Sequence, residues 1–186
     1  TPSASSAASD VYKRQEYADL TDADLDHANM ANTMLHYANL KNADLFSAEL
    51  SNANFYEADL TDARLAYADL PNAYLYRTNF TNANLYDADL TNANIQQADL
   101  TNANLYDADL TNARLRLADL TDANLQYVDL TDADLRNTDL TNALLTYANL
   151  TGADFTSATV TNADFYATTW SNTIWTDGIA YDTNQA

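Results

Sequence analysis

The stretch TNANLYDADLTNANIQQADLTNANLYDADL, residues 81–110, repeats a unit of five residues. Each unit reads Ala, then mostly Asp or Asn, then a large apolar residue, then two variable residues. The same unit extends in both directions without insertion or deletion, from about residue 16 to residue 177. A strict short period over most of a chain is the signature of a repeat architecture, so this unit decides the fold.

Every fifth residue of the repeat is apolar. From Leu20 to Trp175 there are 32 positions whose number is divisible by five, and Leu fills 23 of them. The other nine are also apolar: Met30, Phe55, Phe80, Ile95, Phe155, Val160, Phe165, Trp170 and Trp175. Two residues earlier, Ala fills 26 of the 32 positions, and Thr or Val fills the rest. This pattern indicates a narrow interior in which large and small side chains interdigitate.

A period of five excludes the two regular backbones. An α-helix turns about 100° per residue, so successive Leu side chains would be displaced by about 140° and would form no stripe. A straight strand alternates its faces, so a spacing of five would turn each Leu to the opposite face. Only a chain that bends once per unit keeps all of these side chains on one side.

We therefore expect four units to close one square coil of 20 residues, with coils stacked at the ~4.8 Å spacing of paired strands. The sequence predicts an all-β quadrilateral solenoid of about eight coils, roughly 38 Å long. Its organisation is predicted as a disordered or non-native tail over 1–15, the repeat domain over 16–177 and a C-terminal tail or cap over 178–186. The predicted core includes Leu60, Leu85, Leu100, Leu105, Leu110 and Leu120.

The two ends of such a solenoid differ in sequence. An open end exposes unpaired backbone, which is an aggregation hazard. Near the C-terminus, Phe165, Trp170 and Trp175 replace Leu, and we interpret them as a plug over the last coil. No comparable N-terminal cap is visible in the sequence, unless residues 10–17 provide it, so homodimerisation through an end of the solenoid is a further hypothesis.

Composition excludes several classes of function. Lys and Arg number 8 against 27 Asp and Glu, so the net charge of −19 argues against direct binding of nucleic acid or an anionic membrane. The absence of Cys removes disulfides and thiolate sites, and two His leave little room for a zinc enzyme. His27 and His36 could meet across a corner or lie apart on the surface. We predict no enzymatic activity, no cofactor and no metal.

Stacking every 20 residues predicts which side chains share a surface. One column of carboxylates comprises Asp69, Asp89, Asp109 and Asp129, continued by Glu49, and an opposite column comprises Asp59, Asp99, Asp119 and Asp139. One aromatic row comprises Tyr67, Tyr86, Tyr106, Tyr127 and Tyr147, with Phe46 and Tyr166 at its ends. The carboxylates could simply bond the turns, and the rings could simply cover the solenoid. The alternative is a partner-binding surface.

The Ala-(Asp/Asn)-Leu-x-x unit resembles the pentapeptide-repeat family over about 160 of the 186 residues. The resemblance implies a right-handed quadrilateral β-helix, and the handedness comes from the resemblance alone. Some members protect type II topoisomerases such as gyrase by imitating an acidic DNA duplex, but they carry loops that this register lacks. The segment WSNTIWTDG, residues 170–178, resembles the endings of bacterial members, some of them exported, which leaves both the bacterial cytoplasm and export open.

Function is predicted at the level of class. The leading hypothesis is a non-enzymatic structural or interaction solenoid whose protein partner is unknown. The alternative is an acidic DNA mimic that binds a type II topoisomerase. A minor alternative is ice or mineral binding through the threonine columns at the corners, such as Thr81, Thr101 and Thr121.

Overall fold

The computed structural model describes residues 15–178 and 180–181. Parallel bridges join residues that are twenty apart, and they recur every five residues from the pair Asp19–Asn39 to the pair Asp154–Ile174. One coil therefore contains 20 residues and four sides, and residues 15–177 make about eight coils. This register confirms the quadrilateral β-helix predicted from the period of five.

Backbone hydrogen bonds explain how such short sides are stable. The N–H of each interior Leu donates to the next coil, as Leu100 N does to Asp119 O at 2.7 Å. The N–H of the following Ala closes the corner, as Ala103 N does to Leu100 O at 2.9 Å. Two further N–H groups of each unit bond to the coils on either side. Three of the four backbone bonds of each unit therefore run between coils, and one closes the corner within the coil.

The fifth N–H of the unit explains why Asp or Asn usually precedes the Leu. The side chain of this Asp or Asn accepts a hydrogen bond from the backbone N–H two residues ahead: Asp99 Oδ1 accepts from Thr101 N at 2.9 Å, and Asp129 Oδ1 accepts from Thr131 N at 2.8 Å. This is the local Asx hydrogen bond that makes these residues favourable in turns. In units such as those of Asp99 and Asp129, all five backbone N–H groups therefore have a hydrogen-bond acceptor.

Each corner places its second variable residue in the left-handed region. Positive φ recurs at every fifth residue from Tyr17 to Asn172, with values of 50° to 64° for the residues other than Gly152, whose φ is 71°. Positive φ at the third residue is a feature of type II turns. Asn and Asp fill more than half of these positions because they tolerate this conformation better than other side chains do.

The interior is filled as the spacing predicts. Each of the predicted core leucines, Leu60, Leu85, Leu100, Leu105, Leu110 and Leu120, is at most 1% exposed. At four of the five positions where Thr replaces Ala, the hydroxyl donates to a backbone carbonyl: for example, Thr78 Oγ1 lies 2.8 Å from Phe55 O, and Thr138 Oγ1 lies 2.7 Å from Leu135 O. These four substitutions therefore pair the hydroxyl that they bring into the interior.

The ends differ in how they are covered. Leu20 and Leu25 are only partly buried, because within the described range the first coil is covered by another coil on one side only. At the other end, the rings of Phe155, Phe165, Trp170 and Trp175 contact one another with centroids 4.7–6.1 Å apart. The chain then folds back, so that β1 (Thr173–Ile174) pairs antiparallel with β2 (Ala180–Tyr181).

The predicted tails fall mostly beyond the described part of the chain. Residues 1–14 lie outside the described residues, whereas the N–H of Gln15 already donates to Met34 O at 2.8 Å, one residue before the predicted boundary. In the C-terminal segment, residues 179 and 182–186 lie outside the described residues. A search of the described residues finds no helix with the length and apolar character needed to cross a membrane.

Candidate interaction surface

The outer surface has two kinds of corner, which alternate around the coil. Two opposite corners carry mainly Thr followed by Asn or Asp, and the other two carry the aromatic and basic side chains. Some threonine hydroxyls bond within their corner: Thr81 Oγ1 donates to Asn79 Oδ1 at 2.7 Å, and Thr141 Oγ1 donates to Asp139 Oδ1 at 2.6 Å. Thr101 and Thr121 bond the same kind of turn through their backbone N–H. The threonine columns therefore do not present one uniform row of hydroxyls to an ice or mineral lattice.

One aromatic corner forms an unbroken file of rings, here named the tyrosine ladder. It consists of Phe46, Tyr67, Tyr86, Tyr106, Tyr127, Tyr147 and Tyr166, and consecutive ring centroids lie 4.9–6.0 Å apart. Each ring comes from one or the other of the two corner residues: Tyr127 and Tyr147 share a position and stack nearly parallel, whereas Tyr67 and Tyr86 differ in position and meet edge to face. The structure therefore brings together all five tyrosines of the predicted row.

Three rungs of the ladder occupy a conformation that does not favour tyrosine. Tyr67, Tyr127 and Tyr147 have φ of 60°, 60° and 64°, and their exposed fractions are 47%, 45% and 50%. The left-handed conformation destabilises an L-residue by roughly 1–2 kcal/mol, and it destabilises Asn or Asp by less. Contacts with the neighbouring rings offset part of this destabilisation, since each aromatic pair contributes about 0.5–1.5 kcal/mol. The sequence signal for these positions is the frequent Asn or Asp in the last place of the unit.

A line of acidic side chains, here named the carboxylate column, follows the side next to the ladder. It comprises Glu49, Asp69, Asp89, Asp109 and Asp129, whose backbones are joined by parallel β-bridges from each coil to the next. Asp89 and Asp109 accept from the backbone N–H of Thr91 and Thr111 at 2.8 Å. Asp69 precedes Pro71, which has no N–H, and it accepts from Ser51 Oγ at 3.3 Å instead. The column thus shapes the corners and remains at the surface.

The ladder corner also carries its own carboxylates. Asp87 and Asp107 are exposed in the same column as Tyr67 and Tyr127. The pKa of Tyr86 is raised above its ordinary value, chiefly by the neighbouring phenol of Tyr67, then by burial, with Asp87 and Asp107 adding to it. A raised phenol pKa means that the surroundings of this ring disfavour additional negative charge.

The opposite aromatic corner changes character along the rod. Near the N-terminus, Tyr17 and Tyr37 stack with ring centroids 4.9 Å apart, and Tyr37 meets Tyr56 edge to face at 5.3 Å. A hydrogen bond with Glu57, followed by burial and the hydrogen bond with Tyr37, raises the pKa of Tyr56 to about 12. Hydrogen bonding that holds the phenol proton disfavours ionisation, which accounts for the direction of this shift.

Farther along, this corner and the side beside it become basic. Arg77, Arg114, Arg116 and Arg136 lie here, and they are most of the basic residues among those described. Arg136 forms a fork with Asp134, with Nε–Oδ1 at 2.7 Å and Nη2–Oδ2 at 2.6 Å. Burial raises the pKa of the Asp134 carboxyl, but this fork outweighs it and lowers the pKa overall. Charge is therefore distributed asymmetrically between the two aromatic corners.

The two histidines do not meet. His27 lies on the ladder corner with its ring 5.8 Å from Phe46, whereas His36 lies on the opposite corner, 5.7 Å from the ring of Tyr37. Nine residues separate them, which is nearly half of a 20-residue coil. Among residues 15–178 and 180–181, no group of three or more His, Asp or Glu side chains is arranged to hold a metal ion.

Comparison with known families and structures agrees with the repeat. The family model described as pentapeptide repeats matches in eight copies over residues 16–52, 58–97, 98–137 and 133–169. A comparison with curated proteins gives no match.

The solved structures that resemble this chain include the following three. HetL, a pentapeptide repeat protein involved in heterocyst differentiation regulation from the cyanobacterium Nostoc, is 28% identical over 91% of this chain and 92% of its own, with a TM-score of 0.43. Rfr23, a pentapeptide repeat protein from the cyanobacterium Cyanothece, is 31% identical over 59% of this chain and 65% of its own, with a TM-score of 0.29. Trypsin-treated QnrB1, a plasmid-mediated fluoroquinolone resistance protein, is 20% identical over 74% of each chain, with a TM-score of 0.38.

Proposed function

Because the chain belongs to the pentapeptide-repeat family, we propose that it acts as a non-enzymatic solenoid that binds a protein partner along one corner. Its fold is the right-handed quadrilateral β-helix of that family, as the sequence resemblance implied. The proposed surface is the tyrosine ladder together with the carboxylate column, so the candidate residues are Asp69, Asp89, Asp109, Asp129, Tyr67, Tyr86, Tyr106, Tyr127 and Tyr147.

The ladder is the observation that carries this proposal. Its rings form one continuous apolar strip that spans most of the rod, and its half-exposed members, Tyr67, Tyr127 and Tyr147, occupy strained backbone positions. Solenoids expose extended regular surfaces that are suited to partners, and tyrosine is enriched where proteins meet. A corner selected for stability alone would favour Asn at these three positions, as the threonine-bearing corners do.

A capture experiment with two matched variants tests the proposal. The ladder variant replaces Tyr67, Tyr127 and Tyr147 by Asn. The opposite-corner variant replaces Tyr17, Tyr37 and Leu117, which also have positive φ, by Asn. Both changes leave the net charge at −19. We expect a protein captured from source cells by the wild type to be lost with the ladder variant and retained with the opposite-corner variant. Equal capture by all three proteins would refute the ladder as the binding surface.

A second candidate function, imitation of DNA toward a type II topoisomerase, is supported by charge. The net charge is −19, and carboxylates line opposite sides of the rod, with Asp99, Asp119 and Asp139 on one and Asp89, Asp109 and Asp129 on the other. A DNA-binding groove is basic and attracts such a surface. From residue 19 to residue 174 the five-residue register is uninterrupted and leaves no projecting loop of the kind that protective family members carry, so this candidate ranks second.

A supercoiling assay with gyrase separates the two functions. DNA mimicry predicts inhibition of supercoiling, or rescue of the enzyme from a quinolone, at micromolar protein. Replacement of Asp89, Asp109 and Asp129 by Asn would weaken either effect, because it removes three charges from one side. The absence of both inhibition and rescue would eliminate the DNA-mimic function and leave the protein-binding proposal intact.

A further inference from the structure

The chain itself contains one bound guanidinium on the tyrosine ladder. Arg64 Cζ lies 4.1 Å from the centroid of the Phe46 ring, the first rung. Its Nη1 donates to Asp44 Oδ2 at 2.9 Å. The guanidinium thus contacts an aromatic ring and donates a hydrogen bond to a carboxylate at the same time. This combination of stacking and hydrogen bonding favours arginine over lysine. This contact shows what the ladder corner can bind.

Beyond Arg64 the corner continues with aromatic and acidic groups, and no Lys or Arg among the described residues lies there. Among the described residues, Arg64 is the only Lys or Arg on this corner or on the two sides that flank it. Seven carboxylates follow on the same three surfaces: Asp69, Asp87, Asp89, Asp107, Asp109, Asp129 and Asp164. None of the seven forms an ion pair with a described residue.

Rings and carboxylates lie close enough together to repeat the Arg64 arrangement. Successive rungs are one coil apart, about 4.8 Å along the axis. Asp87 and Asp107 lie beside the rungs Tyr86 and Tyr106 in the same coils, and the carboxylate column lies one side away. A long, flexible arginine side chain can therefore reach both a ring and a carboxylate at several levels of the rod.

We propose that the tyrosine ladder and its flanking carboxylates bind an arginine-rich segment of the protein partner, laid along the rod axis. This inference rests on the proposed function and names the chemistry of the partner. Charge complementarity selects a cationic segment, and the ring file selects arginine among cations, because a guanidinium stacks on aromatic rings and binds carboxylates through a fork. An ammonium group would gain the charge attraction but little of the stacking.

Calorimetric titration with two peptides of equal charge tests this inference. Nona-arginine and nona-lysine are titrated into the full chain at physiological ionic strength, where weak surface attraction is screened. We expect nona-arginine to bind the wild type at least about tenfold more tightly, from several exposed cation–π contacts. The ladder variant, with Tyr67, Tyr127 and Tyr147 replaced by Asn, should lose this preference at unchanged net charge. The opposite-corner variant, with Tyr17, Tyr37 and Leu117 replaced by Asn, should retain it.

Three outcomes would overturn the inference. They are equal affinity of the wild type for both peptides, an arginine preference that persists in the ladder variant, and an arginine preference that is lost equally in the opposite-corner variant. Circular dichroism of each variant verifies that the β-helix is intact. If the peptides are not distinguished but the ladder variant still loses the captured protein, the partner binds the ladder by other chemistry and the proposed function stands.

Discussion

Removing one complete coil is the sharpest test of this architecture. Deletion of residues 91–110 removes 20 residues, so every remaining side chain keeps its column. The rung Tyr106 is lost, and Tyr127 becomes the rung that follows Tyr86. The removed interior consists of Ile95, Leu100, Leu105 and Leu110, each at most 1% exposed, together with four Ala. We expect the shortened protein to fold into the same β-helix with one coil fewer.

The size of the effect follows from the repeat. Stability of a solenoid is approximately a sum of unit and neighbour terms. Globular proteins have roughly 0.05–0.15 kcal/mol of net stability per residue, so 20 residues contribute about 1–3 kcal/mol. The free energy of unfolding should fall by this amount, and the denaturant slope should fall by about one eighth because it scales with buried surface. The rod should shorten by about 4.8 Å, measurable by small-angle X-ray scattering.

Deletion of a single unit, residues 101–105, is the matched control. It should preserve the β-helix, because every unit has the same backbone, and it should lower the free energy of unfolding by less than the full coil does. It also rotates the downstream coils by one side, so that Tyr106 and Tyr127 move to a corner of the threonine type. Arginine-peptide binding should therefore weaken with this deletion more than with the 20-residue deletion. Unfolding of either variant, or a loss above about 5 kcal/mol for the whole coil, would refute the additive model.

Three further predictions concern single side chains. Replacing Tyr56 by Phe should remove an ionisation near pH 12 from the ultraviolet absorbance titration, because hydrogen bonding to Glu57 raises the pKa of this phenol to about 12; an unchanged titration curve would contradict it. Replacing Asp134 by Asn should lower the melting temperature at pH 7 by the equivalent of at most about 1 kcal/mol. Because the folded-state pKa of Asp134 is depressed, this difference is fully present above about pH 4 and is lost as pH falls through the folded pKa; a difference that grows on acidification would contradict it. Replacing Gly152 by Asn should lower the melting temperature less than replacing it by Val, because Asn tolerates a φ of 71° better than a β-branched residue does, while in both variants the Asp132 carboxylate, 2.0 Å from the new Cβ, must turn away; equal effects of Asn and Val would contradict it.

The ladder illustrates a conflict between local and cooperative stability. Tyr147 in the left-handed region is locally worse than Asn, yet its ring lies 4.9 Å from Tyr127 and packs on the next coil as well. A single ring would recover little of the backbone strain, whereas a continuous file shares each ring between two neighbours. Replacement of one central rung should therefore affect binding more than it affects the stability of the rod.

Some features of the surface were foreseeable from residue types alone. The second variable residue is often Asn or Asp, and that enrichment is the expected signature of a left-handed position. The Asp or Asn before each Leu could likewise be predicted to bond a turn, and Asp99 with Thr101 shows how it does so. The exceptions, such as Tyr67 and Leu117, carry no local signal of positive φ; only the regular backbone around them imposes it.

The period of five determined the fold without coordinates, because an apolar residue at every fifth position can stay inside only if the chain bends once per unit. The same arithmetic determined which columns share a surface and predicted a row of tyrosines. Tertiary structure alone decided how the rings contact one another across two neighbouring columns, since that depends on side-chain torsions and not on spacing. It also placed Arg64 between Phe46 and Asp44, a three-residue contact across two coils, because a long flexible side chain chooses its partners only once the coils are stacked.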